Sequence, residues 1–297
     1  MKVFMETFFK LHVTAAVILF VFAACSSQPK NPGDIYTLRA QAEKDLDLAN
    51  KDAARGNYET ALLLLNECKR KAVLTDDSGL LIRGGLSRGN VLFSLGRDNE
   101  AFAEWDNSVK ESQRNGDIEL LAVSKIHYAR GKLLSKGEPY GAGAGSAKDV
   151  LDEVNRESGN IKKDQIYVAF SWYVKGLALR ELGFYREAED AVNRSLAIHE
   201  KGRHLEDASF DLYLIASIRS LSGNTKGALA ALEAALAIDR RIENSWGIAA
   251  DWRAMGDVYK KSGKNPEAAD AYLRAKSIYE ALGNEKEAAE MKKRSNE

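Results

Sequence analysis

Side chains able to carry chemistry are sparse in this 297-residue chain, which has four His and two Cys. His127, His199 and His204 lie in its body, and His199 and His204 are five residues apart, off the i, i+4 spacing with which a helix offers two imidazoles to one metal. No HExxH, no paired cysteines and no strained nucleophile turn occur. The carboxylates are plentiful but interleaved with bases, as in Glu285, Glu287 and Glu290 beside Lys286, Lys292 and Lys293, the pattern of a solvated helix face. Cys68 falls on a small, apolar helical position and reads as a buried thiol. Gly141-Ala142-Gly143-Ala144-Gly145-Ser146 has the composition of a phosphate cradle, but no strand precedes it and no Lys-Ser/Thr follows. With 43 basic and 43 acidic side chains, the chain has no electrostatic footprint for a nucleic-acid backbone. These observations point away from an enzyme, a metal site, a cofactor or a nucleic-acid partner, and leave binding through shape.

The elements that would present such a surface are written in repeats. Arg55-Gly56-Asn57-Tyr58-Glu59-Thr60-Ala61, Leu182-Gly183-Phe184-Tyr185-Arg186-Glu187-Ala188 and Ser262-Gly263-Lys264-Asn265-Pro266-Glu267-Ala268 share a Gly followed five residues later by Ala. Gly96 with Ala101 and Gly223 with Ala228 keep the spacing, so turn glycines fall at Gly56, Gly96, Gly137, Gly183, Gly223 and Gly263, 40 to 46 residues apart. Between them the apolar spacing is helical. The Gly reverses the chain between two antiparallel helices, and the Ala lets those helices approach closely. One hairpin buries a single face, so each needs its neighbours to complete a core.

These residues resemble the tetratricopeptide (TPR) repeat. Trp172-x-x-Lys175-Gly176-x-x-Leu179 and Trp252-x-x-Met255-Gly256-x-x-Tyr259 follow one half of its signature, and Ala188-x3-Val192 and Ala268-x3-Tyr272 the other. Ala49, Gly89 and Gly131 stand at the small first-helix position of the three less regular repeats. The resemblance implies an all-α, right-handed superhelical solenoid of about six helix-turn-helix units over residues 36–297, closed by a capping helix from Asn284 to about Arg294. The interval spanning repeat three exceeds 40 by six, matching the six residues 141–146, which would delay its second helix, with Ser146 as N-cap. That block reads as a surface insertion or, alternatively, as a mobile lip beside the groove.

In this family the first helix of each pair lines the concave face. Tyr128, Tyr173 and Tyr213 stand nine or ten residues before their turn glycines and are read as equivalent concave positions, with Phe170 and Phe210 one turn earlier and Lys125 in repeat three. Repeat six offers Arg253, Asp257 and Lys260 instead. An extended peptide or partner helix on the tyrosines, with an acidic group toward Arg253 and Lys260, is the expected use of this surface. The alternative is that the rings simply pack between neighbouring helices.

The first 24 residues read as an address. Lys2 and Lys10 precede the apolar run Leu11–Phe22, too short to cross a membrane, and Phe22-Ala23-Ala24-Cys25 resembles a bacterial lipobox. That resemblance implies lipidation at Cys25, a tether over 25–35 and an outer-membrane lipoprotein facing the periplasm; a plain signal peptide is the alternative. The expectation is a lipid-anchored scaffold holding a protein or peptide partner in envelope assembly. A ligand-handling accessory of a solute transporter is the alternative, favoured by a closed apolar pore. The oligomeric state stays open.

Overall fold

The structure, a computed structural model, describes residues 37–135 and 144–297. The leader, the tether, Cys25, Gly137 and residues 141–143 of the Gly/Ala block lie outside the described residues. Within them the chain forms thirteen α-helices and no strand. They are α1 Leu38–Ala54, α2 Tyr58–Leu74, α3 Ser78–Ser94, α4 Asp98–Asn115, α5 Ile118–Leu134, α6 Ala144–Glu157, α7 Gln165–Glu181, α8 Tyr185–Gly202, α9 Leu205–Leu221, α10 Thr225–Arg241, α11 Ser245–Lys261, α12 Asn265–Ala281 and α13 Glu285–Ser295. None of them is long and apolar enough to cross a membrane.

Local chemistry fixes where these helices begin and end. Asp77, Asp117 and Asp164 each accept a backbone N–H of the first turn of α3, α5 and α7, at 3.0, 2.9 and 2.9 Å. Asn224, Asn244 and Asn284 do the same for α10, α11 and α13. α12 starts at Asn265 with Pro266 in its first turn, a position that lacks an intrahelical acceptor for the missing N–H. α6 starts at Ala144, so Ser146 lies inside the helix and is not its cap. The longer connection from α6 to α7 is pinned instead by Glu119, whose Oε1 accepts the N–H groups of Lys162 and Lys163 at 2.8 and 2.7 Å.

The helices pack in sequence as antiparallel pairs, a TPR-like solenoid. Ala61, Ala101, Ala188, Ala228 and Ala268 are all buried at the hairpin crossings. Opposite them the first helices carry Ala49, Gly89, Ala129, Gly176, Ala216 and Gly256, each eleven residues into its helix. Repeat three therefore uses Ala129 there, not Gly131; Gly131 makes room one half-turn on for the ring of Trp105, the largest fully buried side chain. The first helices α1, α3, α5, α7, α9 and α11 also pack on one another along the array, to a degree the second helices do not. The layer of first helices is thus the inside of the bend.

That bend returns the array upon itself. Trp246, in the first turn of α11, lies against Gly56 between α1 and α2, so that a Cβ on Gly56 would sit 2.1 Å from its Cδ1. The Tyr58 and Trp246 ring centroids are 6.5 Å apart, and Trp246 also packs edge-on against Tyr279 at 5.7 Å. The sixth hairpin closes onto the first.

Candidate functional site

Helix starts give a sounder register for the concave face than turn glycines. The N-caps Asp117 and Asp164 are 47 residues apart, whereas Tyr128 and Tyr173 are 45 apart, so Ile126 occupies the position of Tyr173 and Tyr213. Tyr128 turns away from the concave face. It meets Phe102 at 5.1 Å between ring centroids and lines a cleft of about 620 Å³ between α4, α5 and α6, on the side of the second helices. Its placement in the groove is therefore corrected. Two offsets of one residue add up to this slip: Gly137 lies 20 residues after Asp117 where Gly183 lies 19 after Asp164, and Tyr128 is nine residues before its glycine where Tyr173 and Tyr213 are ten before theirs.

The remaining aromatic residues separate into packed and exposed. Phe170 stacks on His127, with centroids 4.1 Å apart at an interplanar angle of 21°, and is half-buried. Tyr173 and Tyr213 are half-buried, whereas Phe210 is 50 % exposed. Burial lifts the Tyr173 phenol above its ordinary value, against the opposing pull of Arg130.

Repeat six is tied to the capping helix. Arg253 pairs with Glu287 of α13 at 3.4 Å and also meets the Tyr213 phenol. Burial opposes its charge, but the phenols of Tyr213 and Tyr279 and the Glu287 carboxylate outweigh that and hold the guanidinium above its usual value. Asp257 accepts from the Tyr272 hydroxyl at 2.7 Å and from Arg294 at 2.8 Å. Lys260 stands half-buried near the end of α11. Arg253 and Asp257 thus serve as ties between α11 and its cap, so Arg253 is not the open cation expected there.

A buried cation of the concave layer, Arg130 on α5, has no counter-charge among the described residues. Its Nη2 donates to Asn90 Oδ1 at 2.8 Å, its Nε is buried without a hydrogen-bond partner, and its guanidinium lies over the rings of Phe170 at 5.5 Å and Trp105 at 6.0 Å. Burial lowers its pKa, and the group acting on it besides burial is the Tyr173 phenol, not a carboxylate. Beside it, burial and the Arg130 charge hold His127 well below the ordinary imidazole value, so the ring is neutral at neutral pH. Asn90 Oδ1 accepts from Arg130 and, as an amide oxygen, cannot donate, so the His127 Nδ1–H donates to the same oxygen at 3.1 Å. Other concave arginines are paired: Arg83 with Glu43 at 2.5 and 3.0 Å, and Arg180 with Glu181. Arg83 also lies near Tyr167, whose phenol burial pushes up to about 12 against that charge. What results is a row of rings with an uncompensated guanidinium at its centre, an arrangement that can take an anionic group flanked by flat apolar surface. No group of three or more His, Cys, Asp or Glu able to hold a metal occurs among the described residues.

Arg130, Asn90, Trp105 and Trp246 carry this description, and sequence reasoning singled out none of them for it. Counting twelve residues from the N-terminal end of each first helix would have placed Arg130 in line with Asn90, Leu177, Ser217 and Asp257.

No protein-family model matches the chain, and no curated protein does. Solved structures do resemble it. One is a single-residue variant of a putative kinesin light chain with nearly identical TPR-like repeats from Podosopora anserina, 15 % identical, covering 68 % of this chain and 96 % of that chain with a TM-score of 0.50. Another is a Rap protein complexed with competence and sporulation factor, 12 % identical, covering 86 % of this chain and 74 % of that one with a TM-score of 0.54. At such identities the likeness is one of fold.

Proposed function

We propose that the protein is a non-enzymatic scaffold that holds an extended peptide segment on its concave face, with an acidic group of that segment against Arg130. The observation that carries this reading is the Arg130 guanidinium, buried at Nε, stacked between rings and without a carboxylate neighbour. A cation held so is costly to the fold alone and is repaid when an anion completes it. Tyr173, Tyr213 and the exposed Phe210 then supply contact area along the same face. The concave layer also bears Glu43, Arg83, Asn90 and Arg253, a polar lining that suits a peptide backbone better than the apolar pore a solute-handling accessory would need.

The setting belongs to the same proposal. A lipid on Cys25 and the tether to residue 35 would hold the scaffold at the outer membrane, facing the periplasm, where its partner would be a component of envelope assembly. Metabolic labelling with a fatty acid, compared between the natural chain and Cys25→Ser, tests the anchor separately from the groove.

The binding reading is tested with a fluorescent pentapeptide library in which every sequence occurs with a free and with an amidated C-terminus, and with acidic or neutral side chains. The acidic members should bind best, and Arg130→Met should lose at least tenfold affinity for them while keeping its helical circular dichroism. Equal binding of acidic and neutral peptides, or unchanged affinity in Arg130→Met, would overturn it.

A further inference from the structure

At three junctions between one hairpin and the next, side chains twelve residues apart meet across the boundary. Ser112 and Ser124 do so between α4 and α5 at 3.4 Å, and His199 and Asp211 between α8 and α9 at 2.7 Å. Between α10 and α11 the same positions hold Asp239 and Asp251, two carboxyl groups only 2 % and 1 % exposed and hydrogen-bonded to each other. Asp239 further accepts from Ser209 of α9 at 2.6 Å and from Asn244 Nδ2 at 2.9 Å. Asp251 Oδ2 has no partner.

Two buried carboxyls in contact share a proton, because two adjacent buried negative charges without a base cannot both be sustained. The groups acting on the pair bear this out. Among the described residues Asp251 has only Asp239 as a charged neighbour, and the charge that most affects Asp239 besides Asp251 is Glu206 of α9, another acid. Burial and then Asp239 push the Asp251 carboxyl up to about 8. A group raised in this way favours the packed junction while it holds its proton, and that advantage is gone once pH has risen through its folded value.

The junction is also mechanically tied to the ring closure. Asn244, which donates to Asp239, caps α11 through Gly247 N–H at 3.1 Å, and a Cβ on Gly247 would lie 2.3 Å from Asp239 Oδ2. Trp246 sits between those two residues in the chain and is the side chain that reaches Gly56 and Tyr58. We propose that the Asp239–Asp251 pair is a proton-operated latch: with one proton shared, the α10–α11 junction holds Trp246 against the first hairpin, and with both carboxylates ionised it releases Trp246 and opens the ring. The equivalent rungs of the first half, Ser112 with Ser124, cannot titrate, so the movement would be confined to the C-terminal hairpins.

The test uses the full chain with 5-fluorotryptophan at its four Trp positions, the Trp246 signal being assigned from Trp246→Phe. Its fluorine resonance is followed from pH 5 to pH 9.5, with circular dichroism recorded alongside. The natural chain should move from a contact-shifted toward a solvent-like position as pH rises from the ordinary carboxylate range to about 8, with no further movement above it, at constant helicity. Asp251→Asn, which keeps the shape and removes one charge, should hold the contact position throughout. Should Asp251→Asn fail to fold, Asp239→Asn answers the same question. A Trp246 resonance that stays still in the natural chain, or one that moves equally in the Asn variant, would overturn the latch.

Discussion

Gly56 and Gly183 make a matched pair for measuring the ring closure. Both sit in the turn between the two helices of a hairpin with φ of +80° and +79°, so changing either to Ala forces a side chain into the left-handed region at about 1–2 kcal/mol. A Cβ on Gly183 meets nothing within 4 Å, whereas one on Gly56 would meet Trp246 Cδ1 at 2.1 Å, and the indole must leave. A Trp side chain buries about 150–250 Å² in full. Trp246 is half-buried and shares that surface with Tyr279, so roughly 60–80 Å² belongs to the contact with the first hairpin; at about 25 cal/mol per Å² this is worth roughly 1.5–2 kcal/mol. Gly183→Ala should therefore cost about 1.5 kcal/mol and Gly56→Ala about 3 kcal/mol. Guanidinium unfolding followed by circular dichroism reads the difference, and tryptophan emission should shift to the red in Gly56→Ala alone. Equal losses in the two variants, with unchanged emission, would show that the first and sixth hairpins do not support one another.

Three further outcomes follow from the packing. Arg203 takes a φ of +59° without being Gly, so Arg203→Gly should raise the thermal midpoint, by an amount equivalent to about 0.5 kcal/mol after the entropy of the added Gly is counted. Gly256→Ala would place a Cβ 2.5 Å from the Tyr272 ring, which is held by its hydroxyl on Asp257, so a loss of about 1–3 kcal/mol is expected in the same melt. Burial pushes the His199 imidazole down, but the Asp211 hydrogen bond and charge outweigh it and raise its pKa; the stability from this pair is thus complete below about 6.5 and is lost as pH rises through the higher folded value. Asp211→Asn should remove that fall above neutrality in a pH series of urea midpoints.

Much of the architecture was legible because its determinants are local. The Gly-to-Ala spacing specifies where the helices of a hairpin turn and cross, whereas the cap expected from sequence, Ser146, lies inside its helix and the Asp and Asn caps emerged only with the structure. The register of the concave face was legible only where the turn keeps step. In repeat three the glycine is one residue farther from the helix start and Tyr128 one residue nearer the glycine, so Tyr128 was assigned to a surface it does not face, and Ala129 rather than Gly131 fills the tight crossing. The pairing of Arg253 and Asp257 escaped notice for a different reason: their partners Glu287 and Arg294 lie on the capping helix, and pairing across 34 and 37 residues leaves no mark in local spacing. The contact of Trp246 with Gly56 is longer-range still. It depends on small rotations between hairpins summed over most of the array, a quantity no single residue encodes.

On the proposed reading of a peptide held on the concave face, the meeting of the first and sixth hairpins would also decide how that peptide leaves. While the indole is seated, a bound strand is encircled like a thread through a bead, and sideways escape is barred. Only a free end can be drawn in, and departure then runs along the axis at a rate set by the strand's length. A looped segment fixed at both ends could be received only after the bead had parted at its seam.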